Sequence, residues 1–297
     1  MEQINYSNCP SCGSADISFQ LSAKDYTVSG EEFPIWACRV CSLRFTQQVP
    51  SQAAIGRYYK AENYISHTDT RAGFINTLYH RIRKRTLQSK EQLLKKYTGL
   101  SAGRLLDIGA GTGAFCRHMK EAGWHVTGLE PDEATRQRAQ ELHGLALLPA
   151  GELFRLPAQS YDAVTLWHVL EHVHALHEYL EQIRNVITPG ARIFIAVPNY
   201  TSYDAEVYRQ YWAAYDVPRH LYHFSPQAME HLLKKKGLTL EATEPMWYDS
   251  FYVSMLSERY KNGKAGYAKA VGVGFLSNWK ALFNRRRCSS VIYVIKS

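Results

Sequence analysis

Four of the six cysteines stand in two C-x-x-C pairs, Cys9-Pro-Ser-Cys12 and Cys38-Arg-Val-Cys41, with 25 residues between the pairs. Pairs so spaced offer four thiolates to one tetrahedral ion, and four protein ligands leave no open position, so Cys9, Cys12, Cys38 and Cys41 read as a structural Zn2+ site. Buried free thiols or a redox pair are the alternatives. Gly13 relieves the turn that brings the first two sulfurs together, whereas Cys116 and Cys288 stand alone and read as small apolar fillers. A second chemistry lies in Arg104-Leu-Leu-Asp-Ile-Gly-Ala-Gly-Thr-Gly-Ala-Phe115. Glycines between an apolar strand and a helix remove Cβ atoms, which lets a ligand lie against the backbone at the helix N-terminus. Downstream, Glu130-Pro131 closes the next strand, and a carboxylate there is placed to take ribose hydroxyls. A third group is basic: His168, Glu171 and His172 follow a short apolar strand, and His220 and His223 lie in Asp216-Val-Pro-Arg219-His220-Leu-Tyr222-His223. Histidine titrates near neutrality, which suits it to general acid–base work, so His168, His172 and His220 are the candidate catalytic residues. His172 reads equally as a hydrogen-bonded structural residue. A metal held by these histidines lacks a recognisable spacing.

The elements that must position these groups alternate. Strands are expected at Leu105–Ile108, His125–Leu129, Leu145–Leu148, Ala163–Leu166 and Ala191–Val197, with helices after the glycine loop, at Ala175–Ile187 and after Ser225-Pro226. Two late strands follow, Leu238–Glu244 and Ser290–Ile295. Strand–helix alternation gives a mostly parallel sheet with ligands at the carboxyl ends of its strands.

Taken loosely, Gly109-x-Gly111-x-x-Ala114 with a downstream acid also satisfies the dinucleotide fingerprint. Asp107 two residues before the first glycine, the Gly109-x-Gly111-x-Gly113 rhythm and Leu129-Glu130-Pro131-Asp132 together resemble class I S-adenosylmethionine-dependent methyltransferases. The strand tip Ser160-Tyr-Asp-Ala-Val-Thr-Leu-Trp-His-Val-Leu-Glu-His172 resembles the ubiquinone-pathway O-methyltransferase branch. An N-terminal four-cysteine module before this fold is similar to sugar C-methyltransferases of deoxysugar pathways. The resemblance covers about residues 105–248 plus the last strand. It implies an α/β, Rossmann-like, mostly parallel seven-stranded sheet with an antiparallel last strand, S-adenosylmethionine as cofactor, and cofactor contacts from Asp107, Gly109, Ala110, Gly111, Gly113, Glu130, Pro131, Glu152 and Trp167; Glu152 matches its family position only approximately. The implied organisation is a zinc-ribbon-like module over 1–50, a helical linker or lid over 51–100 and a methyltransferase domain over 101–297, with an insertion at about 249–288.

Composition bounds what these groups can serve. The 297 residues are 45% hydrophobic and 21% charged, which excludes disorder. The start is polar and no apolar stretch is long enough to span a membrane, so a cytoplasmic protein is expected. The net charge of +8 is unevenly placed. Residues 105–258 carry 12 basic and 19 acidic groups, whereas 259–297 carry nine basic and none acidic. The helix expected near Ile75–Tyr97 is also basic, with Arg81, Arg83, Lys84 and Arg85 on what reads first as a solvated face. Within the insertion, Phe275, Leu276, Trp279, Leu282 and Phe283 share a helical face followed by Arg285-Arg286-Arg287. The plainer expectation is that this face packs on the body with the arginines solvated; the alternative is peripheral contact with an anionic membrane. The aromatic run Tyr203, Tyr208, Tyr211, Trp212 and Tyr215 is expected to form a lid or acceptor pocket.

The leading functional expectation is methyl transfer to a hydroxyl, or a carbon, of a small-molecule, sugar or lipid-linked intermediate. An RNA methyltransferase with a zinc module is a second reading, and a catalytically silent binding or scaffold protein a third.

Overall fold

The computed structural model describes residues 3–59, 74–264 and 266–296, and the side chains of 74–81 lie outside the described residues. In chain order the strands and α-helices are β1 (Gln3–Ile4), β2 (Ile17–Lys24), β3 (Glu32–Cys38), β4 (Arg44–Thr46), β5 (Val49–Pro50), α1 (Phe74–Thr98), β6 (Arg104–Ile108), α2 (Ala114–Glu121), β7 (His125–Leu129), α3 (Glu133–His143), β8 (Tyr161–Trp167) and α4 (Leu176–Val186). They continue as β9 (Ile187–Pro198), α5 (Tyr203–Tyr208), β10 (Tyr222–His223), α6 (Pro226–Lys235), β11 (Thr239–Pro245), α7 (Asp249–Asn262), α8 (Tyr267–Phe283) and β12 (Ser290–Lys296). The largest sheet is mixed, with strand order β11-β12-β9-β8-β6-β7. The chain divides into two compact units that are not contiguous in sequence: one takes residues up to 64 with 168–177 and 196–293, the other 65–167 with 178–195 and the chain end.

In the second unit β6 pairs in parallel with both β7 and β8. Leu105, Leu106, Ala163, Val164 and Leu166 are fully buried, the near-continuous apolar run expected of strands covered on both faces. The α/β class holds, but among the described residues the sheet has six strands and not seven. The expected strand at Leu145–Leu148 shrinks to a single parallel bridge between Leu148 and Leu129. Gly144 in the left-handed conformation and Pro149 confine it from either side. Local signals otherwise act as read: Asp132 caps α3 by accepting from the Thr135 N–H at 2.7 Å, and Ser225 caps α6 by accepting from the Ala228 N–H at 3.0 Å with Pro226 in its first turn. Of the basic run on α1, Arg83, Lys84 and Arg85 are exposed; Ile75, Leu78, Tyr79 and Arg81 lie outside the described side chains.

In the first unit the cysteine-bearing segment does not fold on its own strands alone. Its four-stranded sheet has the order β10-β4-β3-β2, so a strand from Tyr222–His223 completes it. Phe33 and Ile35 share a core with Tyr58, Tyr208, Trp212 and Tyr215. Tyr208, Trp212 and Tyr215, expected around a lid or acceptor pocket, are at most 3% exposed and hold this core together. Through the same region runs Arg219, only 1% exposed. Its guanidinium meets Asp25 at 3.1 Å and Asp216 at 2.6 Å, and donates to the Tyr58 carbonyl at 2.9 Å. Burial would raise the Asp25 pKa, but the Ser29 backbone N–H, Arg219 and Thr27 together hold it at about 2.

A buried cation so paired is costly to break from one side, because the carboxylates left behind are desolvated and unpaired. Arg219→Met is expected to lower unfolding free energy by about 3–5 kcal/mol. Urea unfolding of the two proteins at pH 7 checks this, and a loss under about 1 kcal/mol, the scale of an exposed pair, would contradict it.

Candidate active site

Three groups of side chains could do chemistry, and each lies within one unit. The first is built on the carboxyl ends of β6, β7 and β8. Gly109, Gly111 and Gly113 all have positive φ (75°, 55° and 79°), which residues with a Cβ rarely adopt. The loop is held before any ligand arrives: the Gly109 and Ala110 N–H groups both donate to the Leu129 carbonyl, at 2.8 and 2.9 Å. Glu130, 9% exposed, accepts from the Gly111 N–H at 2.9 Å through one oxygen and from the Asp132 N–H at 3.1 Å through the other. Burial raises its pKa. Pro131 follows, and its carbonyl accepts from Arg136 at 2.7 Å. A Cβ on Gly111 would meet nothing within 4 Å, so that glycine faces open space.

Asp107 lies beneath the loop, 1% exposed, accepting from Thr165 Oγ1 at 2.6 Å and from Cys116 Sγ at 3.3 Å. Burial pushes its pKa up to about 6 against the opposing pull of Thr165, Lys90 and Cys116. Trp167 ends β8 with its ring edge-on to Phe115 at 5.6 Å, and Lys90 Nζ stands 4.2 Å from the Trp167 ring centroid. The buried Trp167 indole N–H has no hydrogen-bond partner. Glu152 is engaged with Arg155 at 2.8 Å.

The second group is the histidines. His168 follows Trp167 with φ 59°, a conformation that strains a non-glycine residue. Its Nε2 lies 3.0 Å from Asp249 Oδ2 and its Nδ1 3.4 Å from Glu171 Oε1. Burial would lower the His168 pKa, but the two carboxylates outweigh it and raise it to about 10, although the side chain stays 35% exposed. At 3.4 Å the contact with Glu171 is an ion pair and not a well-formed hydrogen bond. Accordingly neither oxygen of the fully buried Glu171 has a hydrogen-bond donor. His172 and His220 pack edge-on, ring centroids 4.5 Å apart. Each has Nδ1 at a backbone carbonyl, His172 at Arg219 (3.0 Å) with the Tyr59 hydroxyl at the same distance, and His220 at Ala214 (2.9 Å) with Nε2 3.9 Å from Asp216 Oδ2. An Nδ1 that donates to a carbonyl carries the proton, so in the neutral ring Nε2 is left as an acceptor. Burial, then the neighbouring His220, lowers the His172 pKa to about 4. His223 is occupied elsewhere, its Nε2 bonded to Thr46 Oγ1 at 3.0 Å inside the β10–β4 pair.

The third group is the cysteines. Cys9 and Cys41 sulfurs are 3.5 Å apart, as are those of Cys12 and Cys38, and all four lie within 4.8 Å of one another. These separations are far beyond a disulfide and near the roughly 3.8 Å edge of a tetrahedron with Zn–S bonds of about 2.3 Å. The two knuckles share one geometry. Gly13 N–H donates to the Cys9 carbonyl at 2.9 Å and Ser42 N–H to the Cys38 carbonyl at 3.0 Å, both closing residues having positive φ.

Several of these partners were not singled out in the sequence. Thr165 carried a signal, as the one polar residue within Ala163–Leu166, directly beside Asp107 in the β6–β8 register. Cys116, read as a filler, is a weak donor to Asp107. Asp249 sits more than seventy residues from His168 and at the start of a helix, where an aspartate is ordinary.

The Asp107 environment has a consequence for stability. A carboxyl whose folded pKa is raised from 3.8 to about 6 contributes unfavourably once pH exceeds the unfolded value, so stability falls between about pH 4 and pH 6 and stays lower above. Asp107→Asn is therefore expected to gain stability relative to the parent as pH rises from 4 to 8, by up to about 3 kcal/mol for a shift of about two units. Urea titrations of both proteins across that range check it; a pH-independent difference would contradict it.

Comparison with known proteins places this geometry. The methyltransferase domain family matches residues 78–243. A ubiquinone biosynthesis O-methyltransferase of Aeromonas salmonicida is 37% identical over 112 residues, covering 35% of this chain and 47% of that protein. The mitochondrial ubiquinone biosynthesis O-methyltransferase of Rattus norvegicus is 27% identical over 186 residues, 54% of this chain and 53% of that protein. The chain thus spans about half the length of these relatives. Among solved structures, a SAM-dependent methyltransferase from Archaeoglobus fulgidus superposes with a TM-score of 0.48 at 20% identity, over 71% of this chain and 94% of that one. The family match takes in more than half of the chain, including the glycine loop, the Glu130 strand tip, Trp167 and the histidines that follow it, and the chain belongs to the methyltransferase domain family.

Proposed function

We propose that the protein transfers a methyl group from S-adenosylmethionine to a hydroxyl, or a carbon, of a small-molecule, sugar or lipid-linked intermediate. The observation that carries this reading is the glycine loop with Glu130 fastened to it, within the family match. When bound, the cofactor supplies a methyl on a sulfonium that is already activated for in-line displacement.

The residues fit such a ligand. Gly111 faces space that a Cβ would occupy, and Trp167 offers a buried donor in want of an acceptor. Each Glu130 oxygen accepts one backbone N–H and keeps a lone pair for a ribose hydroxyl. Gly109, Ala110, Gly113 and Pro131 shape the loop, and Asp107 acts from below it as a positioning residue. Glu152, turned to Arg155, supports an adenine contact less well.

The acid–base work divides among the histidines. His168, clamped between Asp249 and Glu171, holds its proton at neutral pH and is unsuited to accept another. Its place is that of a fixed cation. His172 and His220 each hold Nδ1 at a backbone carbonyl, and a pKa lowered to about 4 counts against His172 as a proton acceptor near neutral pH. His220, held by the Ala214 carbonyl at Nδ1 and with Nε2 3.9 Å from Asp216 Oδ2, is the proposed general base. The RNA reading loses its tail-side support, because Arg285, Arg286 and Arg287 are paired with Glu244, Glu230 and Glu206.

Two outcomes are expected. Calorimetry should show one site for S-adenosylhomocysteine on the folded protein, and Glu130→Ala should weaken it by about tenfold or more, the loss of ~1.4 kcal/mol from the ribose contacts. Folded protein that gives no heat of binding would overturn the reading. Separately, the sulfur geometry predicts one zinc per chain by elemental analysis, with Cys38→Ser lowering both metal content and unfolding temperature. Full stability at zero zinc would show that the cysteines are simply buried thiols.

A further inference from the structure

Helix α8 is built inside out. Its buried positions are the small residues Ala270, Val273, Gly274, Ser277 and Ala281. Gly274 lies against α7 so closely that a Cβ would come within 2.8 Å of the Phe251 ring and 3.1 Å of its Cα. Ser277 donates to the buried Asp204 at 2.7 Å. The large apolar side chains point the other way: Phe275 is 57% exposed, Trp279 52%, Leu282 64% and Phe283 80%, with Tyr267, Val271 and Leu276 exposed beside them. At 100° per residue these seven fall within one half of the helix circumference. Phe275, Trp279 and Phe283 form a row with ring centroids 6.2 and 6.1 Å apart. The expectation that this face packs on the body is thus reversed, whereas the arginines that follow it stay 36–59% exposed while they pair with carboxylates.

A stripe of this size marks an interaction surface. The charge around it selects the partner. Residues 259–297 contain nine Lys and Arg and no Asp or Glu. Four of the nine pair with Glu258, Glu244, Glu230 and Glu206 from outside the segment and Lys280 lies over the Tyr203 ring at 3.8 Å, which leaves Arg259, Lys261, Lys264 and Lys296 as further cations. A second copy of the same face would set these cations against their equivalents. An anionic lipid surface accepts both the aromatics and the lysines. Seventeen residues span about 26 Å, and no helix among the described residues is long and apolar enough to cross a bilayer, so the geometry is that of a helix lying in the interface.

We propose that α8 docks the protein on an anionic membrane surface, with the Tyr267–Phe283 stripe in the headgroup–acyl boundary and Lys261 and Lys264 against the headgroups. Every substitution that tests this is at an exposed position and leaves the core packing of α8 in place.

The full chain is sedimented with vesicles of phosphatidylcholine alone and of phosphatidylcholine with 30% phosphatidylglycerol. Binding to the anionic vesicles is expected to exceed that to neutral ones by roughly fivefold for each lysine engaged at low salt, and to fall as salt rises. Phe275→Ser/Trp279→Ser/Phe283→Ser should abolish it, and Lys261→Gln/Lys264→Gln should weaken the preference for anionic lipid while keeping weak binding. Circular dichroism and S-adenosylhomocysteine affinity report that both variants are folded. Parent protein that binds neither vesicle overturns the proposal. So does a concentration-dependent dimer by sedimentation velocity, lost in the serine variant, if it occurs without lipid binding; the stripe would then be a self-association surface.

Discussion

The first unit depends on one buried cation. Arg219 has no solvent to share its charge with, so the chain must bring carboxylates to it, and it does so from Asp25 in the cysteine-bearing segment and from Asp216 three residues before it. The same residue's carbonyl accepts from His172 Nδ1, and the next residue is His220. One side chain therefore ties the N-terminal sheet to the 216–223 loop, while its backbone sets the tautomer of a candidate catalytic ring. Replacing the ion pair by apolar groups could yield an equally stable protein, but it would not specify where that loop sits.

The second unit meets a different demand with the same physics. Its loop must have the right shape before a ligand is present, and three of its backbone donors are given acceptors, Leu129 for Gly109 and Ala110, Glu130 for Gly111. The cost is carried by Asp107, buried with a pKa near 6 and held by Thr165 and Cys116. A neutral side chain there would fold more comfortably at neutral pH. Stability given up at a ligand-facing loop is a common feature of sites that must be pre-shaped.

Much of this was legible in the residues, for physical reasons. Glycines that need positive φ, a serine cap before a proline and paired C-x-x-C turns are local, and local chemistry survives folding: Gly109, Ser225 and the four cysteines lie as read. The strand at Leu145–Leu148 was not, because periodicity in four residues does not say whether the neighbouring backbone offers more than one pairing. Long-range partnerships left least trace. Nothing near Asp249 indicates His168, and nothing near Arg219 indicates Asp25. The stripe of α8 was not legible either: hydrophobic side chains announce that they will be covered, but only the packing of small residues such as Gly274 against α7 decides which face turns inward.

The claim on which the rest turns is that the glycine loop and Glu130 hold the cofactor. Amide hydrogen exchange of the parent protein, with and without saturating S-adenosylhomocysteine, reads this at residue level. The account predicts added protection concentrated at 107–114, 129–132 and around Trp167. Saturation of the protein with no change at the first two segments, or protection confined to the cysteine module or to α8, would contradict it.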